Sequence, residues 1–129
     1  MTIIDHMSLG VSDVPAAREF YLTLLSKLGI NCLAEGEGFA AFGRVRVEFL
    51  LLAPFDGCAA SAGNGAHVAF AAPDRKAVTN AHAAGLDAGA SDEGAPGVRA
   101  AYPLPDVFAA YLRDPWGNKI EVVHGGFSA

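Results

Sequence analysis

The hydrophobic and polar positions of this chain form two helical blocks, each preceded by an apolar segment typical of a strand. Apolar residues recur at helical spacing over 16–28, after a Ser-Asp-Val-Pro start that suits a helix N-terminus, and Gly29 ends the run. A second helix is expected over 73–84, beginning at a Pro-Asp pair and closed by Gly85. The pattern therefore predicts two amphipathic helices in a chain otherwise rich in strands.

The order of elements repeats along the chain as a strand, a helix and then a run of short strands. In the first half, strands are expected at 2–11, 31–34, 38–42 and 44–52. In the second half, they are expected at 66–71, 86–88, 99–103, 107–113 and 119–123. The Gly-, Ala- and Pro-rich segment 85–97 has the composition of a flexible loop. One helix per β-rich half predicts an α+β fold, with helices packed on curved sheets.

The size and charge of the chain narrow its class. Its 129 residues fit a single domain over 1–129, with a first module at about 1–58 and a second at about 64–125. The formal net charge of −5 and the lack of a basic cluster argue against nucleic-acid binding. We expect no membrane association and a cytoplasmic location, because the sequence has no long apolar run and no signal-peptide pattern.

Each half of the repeat carries a histidine near its start and a glutamate near its end. The histidines are His6 and His67, and the glutamates are Glu48 and Glu121. His6 and Glu121 lie inside apolar runs, where an unpaired polar group costs free energy, and a bound metal ion removes that cost. Two imidazoles and two carboxylates suit Zn²⁺, Ni²⁺, Fe²⁺ or Mn²⁺, whereas two histidines and one carboxylate form a facial triad with open positions. Glu48 also has a simpler interpretation, as an ion-pair partner of Arg46.

Four local stretches resemble the vicinal oxygen chelate superfamily, which includes glyoxalase I, the extradiol dioxygenases and the bleomycin-resistance proteins. The most specific is Asp-Pro-Trp-Gly-Asn-Lys-Ile-Glu at 114–121, and the others lie at 4–13, 18–21 and 65–70. The resemblance covers nearly the whole chain. It implies two βαβββ modules that form a curved, mixed-sheet half-barrel around a metal site, with the helices outside.

The resemblance also implies roles for particular residues. His6, Glu48, His67 and Glu121 fall on the four metal-ligand positions of glyoxalase I, and His6, His67 and Glu121 fall on the three iron-ligand positions of the dioxygenases. Glu48 and Glu121 are then also the candidates for moving protons during catalysis. The implied protein is a homodimer that acts on a small oxygenated substrate by isomerase, lyase or dioxygenase chemistry. Whether one chain or two build each site is left open.

Two features separate this chain from its better-known relatives. Gly10 stands where glyoxalase I usually has an arginine that holds the glutathione carboxylate. The later strands offer Arg99, Tyr102 and Tyr111 as substrate-binding candidates, but no histidine of the kind that dioxygenases use there. Tyrosines on strands also serve packing alone. A metal-free protein that binds a small molecule or drug, like the bleomycin-resistance branch, is therefore the competing interpretation, and a module in which a metal only supports the fold is a third.

Overall fold

A computed structural model describes residues 2–128 of the chain. These residues form two helices and eight strands, with the same order of elements in each half. The first module contains β1 (Met7–Gly10), α1 (Val14–Leu25), β2 (Asn31–Gly36), β3 (Phe39–Gly43) and β4 (Phe49–Leu52). The second contains β5 (Val68–Ala71), α2 (Arg75–Asp87), β6 (Ser91–Val98), β7 (Phe108–Arg113) and β8 (Lys119–His124).

Each module folds into its own four-stranded mixed sheet. The strand orders are β1-β4-β3-β2 and β5-β8-β7-β6, so the second sheet repeats the topology of the first. The first strand of each module pairs in parallel with the last, and the other pairs are antiparallel. The sheets are open, with β1 and β5 at corresponding edges. The predicted α+β fold of two βαβββ modules is confirmed.

Aspartate caps fix the start of both helices. The Asp13 carboxylate accepts the Ala16 N–H at 3.0 Å, and the Asp74 carboxylate accepts the Ala77 N–H at 2.7 Å. Each bond satisfies a backbone donor that has no partner within the helix. None of the helices within residues 2–128 is long and apolar enough to cross a membrane.

One continuous core joins the two modules. Buried residues of both helices pack on the inner faces of both sheets, and Phe49 of β4 meets Phe70 of β5 edge-to-face at 4.9 Å between ring centroids. The side chains of β7 and β8 that join this core are Ala110, Leu112, Ile120 and Val122. Because strand side chains alternate, the residues between them point to the opposite side of the second sheet. We call that opposite side the site face.

The Asp-Pro-Trp-Gly-Asn turn ties the second module to the first. Asp114 is buried, and its carboxylate accepts the Tyr21 hydroxyl at 2.6 Å and the Asn118 N–H at 2.8 Å. The Asn118 side chain in turn donates to the Gly10 carbonyl at 3.1 Å. These bonds fix the turn directly before β8, so they also fix where β8 begins.

The sequence-based expectations are wrong in four places in the second module. Residues 91–97, expected to lie in a flexible loop, belong to β6, which pairs with β7 in a hairpin. Residues 99–103, expected to be a strand, lie in the loop that connects β6 to β7. The segment 86–88 continues α2 and its C-cap instead of forming a strand. Gly85 does not end α2, and an added Cβ there would lie 2.7 Å from Leu112 and 2.9 Å from Leu24. This glycine therefore serves close packing between helix and sheet.

Candidate functional site

A buried carboxylate lies at the centre of the site face. Glu121, in the middle of β8, is fully buried, and β8 pairs it with Tyr111 of β7. Its apolar neighbours on this face are Val107, Ala109 and Val123, which form a small cluster separate from the main core. A buried carboxylate in such surroundings requires hydrogen-bond or ionic partners.

Glu121 has one partner on each oxygen. His67 Nε2 lies 3.0 Å from Oε1, and the Tyr102 hydroxyl donates a short hydrogen bond to Oε2. His67 directly precedes β5, and 44% of its side chain is exposed. The imidazole therefore links the buried carboxylate to the surface. Three of the residues that the sequence singled out meet here.

Both tyrosines of the site have a raised pKa. Burial is the largest cause for Tyr102, and the hydrogen bond to Glu121 and the charge of that carboxylate add to it. Burial also comes first in raising the pKa of Tyr111, where the Glu121 charge adds to the effect and Arg99 opposes it. Both phenols therefore stay protonated at neutral pH and act as hydrogen-bond donors.

Two cations lie beside the Tyr111 ring. The Arg99 guanidinium is 5.5 Å from the ring centroid, and the Lys119 ammonium is 5.4 Å from it. Both distances are those of cation–π contacts. Arg99 and Tyr111 were predicted from the sequence, but Lys119 was not. Its position two residues before Glu121 on one strand is the signal that could have identified it, because such residues share a face.

The loop between β6 and β7 brings Arg99 and Tyr102 over the site face. The Arg99 N–H donates to the Val107 carbonyl at 2.8 Å, and the Tyr102 N–H donates to the Arg99 carbonyl at 3.3 Å. The Tyr102 ring also packs against Phe127, at 5.5 Å between centroids. Asp106 has a φ of 61°, an unusual left-handed conformation within this loop. The loop therefore folds back on itself, and this places two site side chains.

The residues predicted in the first module do not join this cluster. His6 is 56% exposed at its side chain, and its Nδ1 lies 2.6 Å from the Asp5 carboxylate. Glu48 is 57% exposed at its side chain and lies 3.6 Å from Arg46, the ion-pair partner that the sequence offered. Across residues 2–128, no three His, Cys, Asp or Glu side chains form a group that could hold a metal ion.

The strand register explains why the two modules differ. In the second module Ala69 pairs with Glu121, and the corresponding pair in the first module is Ser8 with Leu50. Leu50 therefore occupies the position that Glu121 has in the second sheet. Glu48 lies two residues earlier, just before β4 begins. A shift of two residues keeps Glu48 on the same face but moves it along the strand by about 7 Å.

His67 and Glu121 fit as two ligands of one divalent ion. Ligand atoms about 2.1 Å from an ion, at angles between square and tetrahedral, lie roughly 3.0–3.4 Å from each other. The 3.0 Å separation of His67 Nε2 and Glu121 Oε1 matches this range. The imidazole and the carboxylate are also ligand types that Zn²⁺, Ni²⁺, Fe²⁺ and Mn²⁺ accept. Two of the four predicted metal ligands, His67 and Glu121, therefore lie next to each other in the second module.

Comparison with known proteins identifies the family. The family model of the Glyoxalase/Bleomycin resistance protein/Dioxygenase superfamily matches residues 3–122, and the chain belongs to this superfamily. The resemblance seen in the 114–121 motif is thereby confirmed. No protein in a search of curated proteins matches the chain.

Solved structures agree with this assignment. A glyoxalase/bleomycin resistance protein from Albidiferax ferrireducens T118 is 33% identical, with a TM-score of 0.86 over 95% of this chain and 98% of that chain. A family enzyme from Burkholderia phytofirmans PsJN is 16% identical, with a TM-score of 0.71 over 92% and 95%. A lactoylglutathione lyase from Agrobacterium tumefaciens is 24% identical, with a TM-score of 0.64 over 96% and 93%. The latter two show a shared fold.

Proposed function

We propose that this chain is a metal-dependent enzyme that acts on a small oxygenated substrate at the site face of its second sheet. The observation that carries the proposal is the fully buried Glu121 carboxylate, 3.0 Å from the partly exposed His67 imidazole. A buried carboxylate beside a surface-accessible imidazole suits both metal binding and proton transfer. Superfamily membership places the chain among proteins in which both kinds of chemistry occur.

In this proposal His67 and Glu121 would hold the divalent ion, and the chemistry that the ion would supply is the polarisation of a substrate oxygen. Tyr102 orients Glu121 by donating to Oε2, so that Oε1 is directed toward His67. Tyr111, facing Glu121 across the strand pair, offers a further protonated hydroxyl at the same place. Glu121 is also the proposed proton carrier, because a carboxylate with two oxygens can bind on one and accept on the other.

The remaining ligand is proposed to come from a second copy of the chain. His6 lies just before β1, an edge strand of the first sheet, and its Nε2 points away from the Asp5 contact made by Nδ1. A homodimer that places the β1 edge of one copy against the site face of another supplies His6 to His67 and Glu121. Glu48 remains a predicted fourth ligand, with the register of β4 and its pairing to Arg46 against it.

One observation favours a second function, the metal-free binding of a small molecule. Both oxygens of Glu121 already have protein partners, so the buried charge is satisfied without an ion. In that case His67, Tyr102 and Tyr111 act as hydrogen-bonding groups toward a ligand, and nothing is transformed. The two functions differ most simply in their need for metal.

Metal content of the tag-free protein, measured by mass spectrometry after incubation with Zn²⁺, Ni²⁺, Mn²⁺ or anaerobic Fe²⁺, tests the proposal. We expect near-stoichiometric metal in the native chain and a loss of at least about tenfold in affinity for Glu121→Gln and His67→Ala. Glu37→Gln, on an exposed residue without an assigned role, is the matched control and should keep its metal. Glu48→Gln in the same series decides whether Glu48 is a ligand. A native chain that binds none of these ions leaves the metal-free function.

A further inference from the structure

The two cations beside Tyr111 are not used by the proposed metal centre. Among the charged groups described between residues 2 and 128, neither Lys119 nor Arg99 lies within ion-pair distance of a carboxylate. Within residues 2–128 the Arg99 guanidinium donates one hydrogen bond, to the Ala95 carbonyl, which leaves most of its five donors unused. Both side chains are only partly exposed. Positive groups held without a counter-ion beside a site favour an anionic ligand.

Asp92 is the acidic residue that most clearly competes for Arg99. Its pKa is lowered first by the Gly94 N–H and then by His82, and the charge of Arg99 contributes last. The Asp92 carboxylate is already bonded to His82 at 3.0 Å and to Gly94 at 3.0 Å. Both of these bonds involve Oδ1, and within residues 2–128 Asp92 forms no ion pair with Arg99, so the guanidinium of Arg99 remains available to a ligand.

The strand geometry sets the distance between Lys119 and the carboxylate-bearing residue Glu121. Lys119 and Glu121 are two residues apart on β8, which places their backbones about 7 Å apart on the same face. Tyr111 lies between them, opposite Glu121 in the strand pair and within 5.4 Å of the Lys119 ammonium. A single small molecule can therefore contact the cations at one end and the His67–Glu121 pair at the other.

We infer that the substrate is a small carboxylic acid, whose carboxylate is held by Lys119 and Arg99 beside the Tyr111 ring. A second oxygen, a few bonds away along the molecule, then reaches His67, Glu121 and Tyr102. This assignment deepens the proposed function and rests on it for the reacting end. It also explains why an acidic chain keeps two unpaired cations on the same side of a sheet as a buried carboxylate.

Matched pairs of carboxylate and amide probes test this assignment, because the two members of a pair differ in charge but hardly in shape. The probes are 4-hydroxybenzoate with 4-hydroxybenzamide, and 4-oxopentanoate with 4-oxopentanamide. Titrations followed by ¹H–¹⁵N NMR report the dissociation constant and, through the amides of Tyr111 and Lys119, the place of binding. We expect each carboxylate to bind about tenfold more tightly than its amide, as charge-assisted hydrogen bonds require.

Two variants, each lacking one positive charge, test whether Lys119 and Arg99 cause the preference for carboxylates over amides. Lys119→Gln and Arg99→Gln should each weaken carboxylate binding several-fold, by about three- to tenfold, and leave amide binding nearly unchanged. Lys76→Gln, which removes an equal charge from the exposed surface of α2, is the control and should bind like the native chain. The use of two variants guards against one of them failing to fold.

Equal binding of both members of each pair, or no binding of either carboxylate, would overturn the assignment. So would a carboxylate preference that survives in both variants, because the charge would then be held elsewhere. Metal content is measured on the same samples. If the protein prefers carboxylates but binds no metal, the proposed metal centre is wrong and the carboxylate assignment stands. If it binds metal but shows no preference for carboxylates, the metal centre stands and the carboxylate assignment is wrong.

Discussion

The chemistry proposed for this chain depends most on one residue, Glu121. It is fully buried, yet it lies on the side of the second sheet that faces away from the main core. Its two oxygens have different partners, an imidazole that reaches the surface and a phenol from the β6–β7 loop. One carboxylate oxygen is therefore held by Tyr102, and the other faces the partly exposed imidazole of His67.

The Tyr102 hydroxyl is predicted to stabilise the fold through its hydrogen bond to Glu121. Tyr102→Phe should lower the free energy of unfolding by about 1–3 kcal/mol, because a partly buried hydrogen bond to a charged group is lost. In the double variant with Glu121→Gln the two effects should not add, since both remove the same bond. Urea unfolding of the two single variants and the double variant measures this. Additive effects would show that Tyr102 stabilises the fold independently of Glu121.

The histidine and glutamate of the second module could be found from sequence because their signals are local. His67 opens an apolar strand, and Glu121 ends a motif whose backbone turn is fixed by Asp114 and Asn118. Lys119 was missed because a lysine at the start of a strand is ordinarily a solvent-facing residue. Its role depends on Tyr111 of the neighbouring strand, and that pairing is not visible in a linear pattern.

At the scale of helices and strands, the predictions were right where neighbouring residues in the sequence determine the element. Both helix starts follow an aspartate whose side chain caps the first turn, and this is readable from the sequence. The strand β6 was missed because its Gly, Ala and Pro residues have low strand propensity, and pairing with β7 overrides that preference. The position of Glu48 relative to Glu121 could not be predicted, because it depends on how β4 is registered against β1.

The link between α1 and the turn before β8 predicts an alkaline effect on stability. Burial raises the pKa of Tyr21 well above 10.0, and the charge of Asp114 and its hydrogen bond add to this. The folded chain therefore keeps the neutral phenol where the unfolded chain ionises it. The stabilising contribution is complete below pH 10 and falls as the pH rises above it toward the folded-state pKa.

The measurement compares the native chain with Tyr21→Phe between pH 8 and pH 11, using urea unfolding. Above pH 10 the free energy of unfolding of the native chain should fall more steeply than that of the variant, by up to about 1.4 kcal/mol per pH unit. Tyr102 and Tyr111 are present in both proteins, so their ionisation cancels in the comparison. Parallel curves would mean that Tyr21 ionises alike in the folded and unfolded chains.

At the scale of the molecule, the two modules share a topology but not a site. The second module carries His67, Glu121, Tyr102 and two cations, whereas Leu50 of the first module occupies the position that corresponds to Glu121. Repetition of the fold was therefore a good guide to the architecture, whereas the predicted ligand residues of the two modules lie in different surroundings. The first module contributes His6 to the proposed centre only if a second copy of the chain is present.

Mixing two variants tests this dimeric arrangement. Chains carrying His6→Ala and chains carrying His67→Ala each lack one ligand, but a mixed dimer regains one complete site of its two. Random re-association of equal amounts should therefore restore about a quarter of the native metal content. The metal content of the mixture is measured by mass spectrometry after the two variants have been unfolded and refolded together. No gain over the separate variants would show that His6 is not supplied in this way.

The central claim, a divalent-metal centre built on His67 and Glu121, is tested most directly by titration with Co²⁺. The visible absorption bands of Co²⁺ change with its ligands, so they report coordination itself and do not depend on a known substrate. The account predicts saturable bands at about one ion per chain, lost or weakened at least tenfold in Glu121→Gln and intact in Glu37→Gln. Absence of bands in the native chain, or bands unchanged in Glu121→Gln, would contradict it.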